Sequence, residues 1–392
     1  MEYYISKKMR EMKPSAIREI FKSLGAPGAI SLAAGNPSPE SFPVDFIAKT
    51  SERILREDPT TALQYSVTEG YPKLREDVAL RLRSKFKIDT EKNITVITSG
   101  GQQGIELACK AVCDEGDAII CENPSFIGAL NAFRSLGVTP LGAEMCEDGI
   151  DIEMTERLIK DNPRVRMLYL IPTFQNPSGI TTSFEKRKAV YELARKYDLL
   201  IIEDNPYGEL RFSGTDVPTI KSFDEDGRVI YCGSFSKILS AGMRVGFFCA
   251  PEPVAQKMIV AKQVEDVHTN IFFQMICHSF MTEFDLEGHL DKIRKLYFHK
   301  ASLMVDCLDK YMPQDVKHTV PEGGLFLWCT LPDRISLDEF MKKSAEAKVF
   351  VVPGTAFNCD MSAKSSSFRL NYSVPTDEEI EKGIYTLSKI VK

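Results

Sequence analysis

Between Asn93 and Pro206 the chain repeatedly sets an unbroken apolar run before a helical stretch. "NITVITSG" leads to "IELACKAV", "DAIICENP" to "FIGALNAFRSLG", and "RMLYLIP" to "FEKRKAVYELARKY", with "LLIIEDNP" next. Runs of five or six Val, Ile, Leu and Tyr without polar alternation suit strands covered on both faces. Helices between such strands imply crossover connections and therefore a parallel sheet. The predicted fold class is α/β: a large domain with a doubly wound, mostly parallel sheet.

The last third has a different pattern. "GHLDKIRKLYFHKASLMVDCLDKYM" keeps Ile293, Leu296, Met304 and Leu308 on one helical stripe. Short strand-like pieces follow ("GGLFLWCTL", "KVFVVPG", "SFRLNYS"), interleaved with helical "SLDEFMKKSAEA" and "DEEIEKGIYTLSKI". We expect a smaller α+β domain over residues 286–392 and a large domain over 45–285. Residues 1–44, irregular through "GAPGAISLAAGNPSPESFP", form an N-terminal arm that packs with the smaller domain. A chain of 392 residues has room for both.

Composition removes several classes of function. With a net charge of -6 and no basic block, nothing calls for nucleic acid or an anionic membrane surface. The ten cysteines include no C-x-x-C pair, and the five histidines show no metal-ligand spacing. No window has signal-peptide or membrane-spanning character, so a cytoplasmic protein without a resident metal is expected.

In an open α/β sheet, ligands bind beyond the carboxyl ends of the strands. Several apolar runs here end in unusual polar residues. "NITVITS" ends in Gly100-Gly101-Gln102-Gln103-Gly104 and opens a helix, and "RMLYLIP" leads to Asn176 in "TFQNPSG". "LLIIE" ends in Asp204, with Tyr207 three residues on. "VIYCG" ends in Ser234, Ser236 and Lys237, with Arg244 following. Singly, each has an ordinary structural explanation: a tight turn, a helix cap, a surface ion pair. Together they form a chemical set. A glycine turn at a helix N-terminus offers N–H groups to a phosphate, and Arg244, Ser234 and Ser236 add donors. A desolvated Lys237 near positive charge becomes nucleophilic toward an aldehyde. Asp204 can pair with a protonated ring nitrogen, while Asn176 and Tyr207 can hydrogen-bond a phenolate. Phosphate, aldehyde, pyridine nitrogen and phenolate are the handles of pyridoxal 5′-phosphate.

The sequence resembles the fold-type I, class I/II aminotransferases over nearly its whole length. It is most similar to the subgroup of α-aminoadipate/kynurenine and bacterial multi-substrate aminotransferases. The shared motifs are "SLAAGNPSPESFP", "LQYSVTEGYPKLRE", "TSGGQQGIEL", "NPSG", "EDNPYGEL", "GSFSKILSAGMRVGF", "PEGGLFLW" and "FRLNYS". The resemblance implies that Lys237 forms the aldimine with the cofactor and shuttles the proton, and that Asp204 holds the pyridinium. Asn176 and Tyr207 would meet the ring oxygen, Phe126 would stack on the ring, and Gly101, Gln102, Ser234, Ser236 and Arg244 would surround the phosphate. Tyr65 would reach a phosphate across a homodimer interface, which implies shared active sites. Arg369 would fork the substrate α-carboxylate, with Gly35, Asn176 and a mobile Arg18 as further substrate contacts.

The activity so implied is ping-pong transfer of an amino group from an L-amino acid to a 2-oxo acid, with 2-oxoglutarate as first-choice acceptor. Candidate donors are α-aminoadipate, glutamate, and aromatic or aliphatic amino acids. Gly101 stands where many relatives carry serine, Phe126 where tyrosine is frequent, and Asn36 where an apolar residue is common. The last change bears on side-chain specificity. A cysteine–sulfur type β-lyase needs the same Lys237 and Asp204. A nicotinamide oxidoreductase fits "GGQQG" and Glu122 superficially, but lacks the G-x-G-x-x-G order and leaves Lys237 and Arg244 unused. A non-catalytic regulatory protein on this fold is disfavoured because the chain opens on the N-terminal arm, with no winged helix before it.

Overall fold

The computed structural model describes residues 3–11 and 28–392. After a short β1 (Ile30–Ser31), the main sheet is built from β2 (Asn93–Thr98), β3 (Ala118–Asn123), β4 (Thr139–Cys146), β5 (Gly149–Ile150), β6 (Val165–Leu170), β7 (Leu200–Asp204), β8 (Val229–Ser234) and β9 (Gly246–Pro251). Their spatial order is β2-β9-β8-β7-β6-β3-β4-β5. The pairs β3–β4, β3–β6, β6–β7 and β7–β8 are parallel, whereas β9 runs antiparallel between β2 and β8, and β5 folds back on β4. The sheet is therefore mixed and mostly parallel. The carboxyl ends of β2, β3, β6, β7 and β8 share one edge, where β9 begins.

The apolar runs are unbroken because neighbouring residues of one strand enter different cores. Ile119, Met167, Tyr169, Ile202 and Ile230 pack on one face, while Ile120, Leu168, Leu170 and Ile201 pack on the other. Successive strand side chains point to opposite faces, so a strand covered on both sides is predominantly apolar, and the buried acids Glu122 on β3 and Glu203 on β7 are hydrogen-bonded to backbone amides.

The later strands are β10 (Lys317–His318), β11 (Phe326–Thr330), β12 (Val349–Phe350), β13 (Val352–Pro353) and β14 (Ser367–Asn371). A four-stranded antiparallel sheet runs β10-β11-β14-β13. The 26-residue helix Leu286–Tyr311 buries Ile293, Tyr297, Met304 and Leu308 in the core that Ile380, Ile384 and Leu387 of the last helix also enter. β1 pairs in parallel with β12, and Leu32 O accepts from Asn371 N at 2.8 Å. The segment after Gly28 is thus held by the C-terminal part of the chain, and this places Gly35 and Asn36 opposite the end of β8. No helix among the described residues is long and apolar enough to cross a membrane.

Candidate active site

A cleft of about 440 Å³ opens at the carboxyl edge of the main sheet. Two glycines shape its floor. Gly100 lies between β2 and the helix Gly101–Val112 with φ +87, a conformation that side chains resist, and a Cβ there would collide with the Arg244 guanidinium. Gly246 at the start of β9 lets the backbone of Gly100 and Gly101 come so near that a Cβ would lie 2.6 Å from Gly100 C and Gly101 N. The helix Gly101–Val112 has no side-chain cap, so its N-terminal amides face the cleft with the positive end of the helix dipole.

Beside that turn, the hydroxyls at the end of β8 are ordered against each other. Ser234 Oγ donates to Ser236 Oγ at 2.8 Å and accepts from Ser236 N at 3.0 Å. Arg244 Nη1 reaches Ser236 Oγ at 3.5 Å and Ala241 O at 3.2 Å. Gln102 is occupied differently: its Nε2 donates to Gly128 O at 2.9 Å, tying the turn to the helix that begins beside Phe126.

Lys237 Nζ donates to Gly35 O at 2.8 Å. Burial, and then the positive charges of Arg369 and Arg244, lower its pKa to about 8, against the opposing pull of Asp204. Asp204 moves the other way. Burial raises it to about 7, although hydrogen bonding from Tyr169 and the charge of Lys237 pull it down. Burial likewise pushes the Tyr207 phenol well up, so this group stays protonated. A carboxyl buried at a strand end and an amine of lowered proton affinity thus occupy the same cleft.

Arg369 on β14 is 2% exposed. Its Nη1 donates to Asn176 Oδ1 at 2.8 Å and its Nη2 to Ala33 O at 2.9 Å. The guanidinium carbon stands 4.1 Å from the Phe326 ring centroid and 5.0 Å from that of Phe357. Nε is buried without a partner among the described residues. Burial lowers the pKa of this guanidinium to about 10. A planar cation sandwiched between rings, with a donor unmet, is suited to a carboxylate.

Gly35, Gly101, Gln102, Phe126, Asn176, Asp204, Tyr207, Ser234, Ser236, Lys237, Arg244 and Arg369 all line this one cleft, together with Asn36. Tyr65 does not. It is 82% exposed and touches His268 edge-on at 5.9 Å. Arg18 lies outside the described residues. Two contributors escaped the sequence reading. Phe326 carries Arg369, and Tyr169, in the middle of an apolar run, donates to Asp204. The available signal was the tyrosine itself, because a phenol in a doubly covered strand must find a hydrogen-bond partner. The loop that carries Asn176 is tied at both ends by Arg187, fully buried, whose guanidinium donates to the carbonyls of Pro172 and Thr182, and also to that of Pro218.

A mixed, mostly parallel sheet presents a desolvated lysine and a buried aspartate at its carboxyl edge, β14 of the second sheet sets a caged arginine in the same cleft, and the family match makes this the site of an aminotransferase. The family profile described as "Aminotransferase class I and II" matches residues 27–387, and the chain belongs to that family. It is 39% identical to aromatic-amino-acid aminotransferase 1 of Thermococcus litoralis, over 100% of this chain and 94% of the relative. The multiple substrate aminotransferase of Thermococcus profundus superposes with a TM-score of 0.94 at 37% identity, covering 99% of this chain and 97% of that one. LysN, the α-aminoadipate aminotransferase of Thermus thermophilus, superposes at 0.89 with 36% identity, covering 99% and 97%; its structure holds N-(5′-phosphopyridoxyl)-L-leucine. The protein is an aminotransferase that moves an amino group between an amino acid and a 2-oxo acid. Members of this family depend on pyridoxal 5′-phosphate.

Proposed function

We propose that the cleft takes pyridoxal 5′-phosphate in the orientation its donors dictate and that Lys237 is the amine at its reacting carbon. The residues fit the group. The capless helix N-terminus, Ser234, Ser236 and Arg244 gather donors for a phosphate. Asp204, buried at the strand end, is an acceptor for a ring N–H, and Asn176 and Tyr207 supply donors for a ring oxygen. Phe126 offers an apolar face. When bound, the cofactor supplies an aldehyde for amine exchange and a ring that takes up the electron pair released at the substrate α-carbon.

The chain's own residues do the rest. Lys237 Nζ, with its pKa brought down to about 8, releases its proton far more readily than an ordinary lysine; in its neutral form it can accept the α-proton and return it to the carbon on the other side of the transferred nitrogen. Arg369 Nε and the edge of its guanidinium orient the α-carboxylate, while Asp204 holds a proton on the ring. The same groups serve both halves of the reaction, first with an L-amino acid and then with a 2-oxo acid, which we take to be 2-oxoglutarate. The exposed Tyr65, whose ring serves no core of its own chain, supports a homodimer in which Tyr65 of a second copy completes the phosphate site. The division into residues 1–44, 45–285 and 286–392 is part of this reading, supported by the β1–β12 pairing that joins the first unit to the last.

The observation that carries the proposal is the gathering of Lys237, Arg369, Arg244 and Asp204 in one cleft, where the charges of the other three act on the Lys237 amine. Lys237→Ala is expected to abolish multiple turnover in an assay of amino transfer to 2-oxoglutarate, while the circular-dichroism melt remains cooperative. Normal turnover by that variant would refute the assignment.

A further inference from the structure

Asp204 is served by a second layer of residues that belong to no catalytic role. Tyr169 lies on β6, beside β7, and is fully buried, its ring packed edge-on against Phe133 at 5.4 Å. Its phenol donates to Asp204 Oδ2 at 2.8 Å, a bond between two buried groups. This is the one hydrogen bond to the Asp204 carboxyl among the described residues, and it leaves Oδ1 for the cleft.

The other ionisable groups around Asp204 make that bond important. Lys237 is the cation on the cleft side. Tyr207 and the Cys232 thiol, on β8 next to β7, are both neutral, their proton release opposed by burial and by the charge of Asp204. On β3 stands Glu122, fully buried and of the same sign as Asp204. Glu122 Oε2 accepts from Ile171 N at 3.0 Å and Gln175 Nε2 at 3.2 Å, and Oε1 has no partner among the described residues. On the protein side, then, Asp204 faces a second acid and weak dipoles, with a single strong donor. A carboxylate in such surroundings keeps its charge and its rotamer only through the donors it has.

We propose that Tyr169 is a positioning residue: by donating to Asp204 Oδ2 it turns Oδ1 into the cleft and keeps the carboxylate ionised for the N–H of the cofactor's pyridine ring. The inference rests on the cofactor reading above. The Tyr169 hydroxyl makes no other hydrogen bond among the described residues and its ring contacts survive removal of the hydroxyl, so Tyr169→Phe deletes the donor while preserving the packing.

The test compares two cofactors, pyridoxal 5′-phosphate and its 1-deaza analogue, in which a C–H replaces the ring nitrogen. Each is titrated by absorbance into wild-type and Tyr169→Phe protein freed of cofactor. A positioning role through Asp204 predicts roughly a tenfold loss of affinity for the pyridine cofactor, the equivalent of one charge-assisted hydrogen bond, and unchanged affinity for the deaza analogue. In an Asp204→Asn background the same substitution is expected to cost nothing further. Equal losses for both cofactors, no loss for either, or a loss that persists without the Asp204 carboxylate would each overturn the proposal. Wild-type protein that takes up neither cofactor would instead refute the underlying cofactor assignment.

Discussion

Replacing Lys237 with methionine should stabilise the cofactor-free protein near neutral pH. A fall in pKa from the ordinary 10.5 to about 8 corresponds to about 3 kcal/mol of destabilisation carried by the protonated amine in the folded state. Part of the side chain stays open to the cleft, so that figure is an upper bound. The hydrogen bond from Nζ to Gly35 O is lost with the amine, which subtracts about 1 kcal/mol. The net expectation at pH 7 is a gain of about 2 kcal/mol. The sign follows from proton counting. Below about pH 8 folded and unfolded chains both hold the proton and the penalty is complete. Between about 8 and 10.5 the unfolded chain still binds a proton that the folded chain has released, so wild-type stability rises with pH. Above 10.5 the penalty is gone and Lys237→Met should be slightly the less stable of the two. Urea unfolding of both proteins after removal of cofactor, in buffers spanning that interval, gives the difference directly. A variant no more stable than wild type at pH 7, or a gain equally large at the alkaline end, would show that Lys237 is not a desolvated cation.

Two further substitutions probe the arginine cage and the glycine turn. Arg369→Lys loses the two directional bonds to Asn176 and Ala33 and the planar stacking on Phe326, and should lower kcat/KM for amino acids by about a hundredfold. The single-turnover rate with a simple amine lacking the carboxylate should stay within a few-fold of wild type, and a comparable loss there would remove Arg369 from carboxylate binding. Gly100→Ala combines a left-handed φ of +87 with a collision against the Arg244 guanidinium; it should cost about 1–3 kcal/mol in urea unfolding and weaken cofactor binding measured by equilibrium dialysis. An alanine accepted at no cost in either measurement would mean that the turn relaxes and does not hold Arg244.

Much of the main sheet was legible because burial leaves a local trace. Strands covered on both faces are apolar along most of their length, and "AIIC", "MLYL" and "LII" show that without reference to the rest of the chain. Lys237, Asp204, Asn176 and the Gly100–Gly101 turn stood out for the complementary reason, since a polar residue at the end of such a run is unexplained until something is bound there. The antiparallel insertion of β9 between β2 and β8 has no such trace, because "GFFCAP" reads alike in either direction. Nor does periodicity show that β1 pairs with β12 and so sets Gly35 O against Lys237 Nζ, or that Arg369 reaches Asn176 from the other sheet. Tyr169 looked like one more apolar strand residue until β6 and β7 lay side by side and its hydroxyl met Asp204. The sequence by itself determined which residues had to be covered and which strand ends were chemically odd, since hydrophobic burial acts residue by residue. Only the tertiary structure decided which of those residues meet, because a hydrogen bond of 2.8 Å between distant segments depends on strand order and on how closely the glycine turn lets two backbones approach.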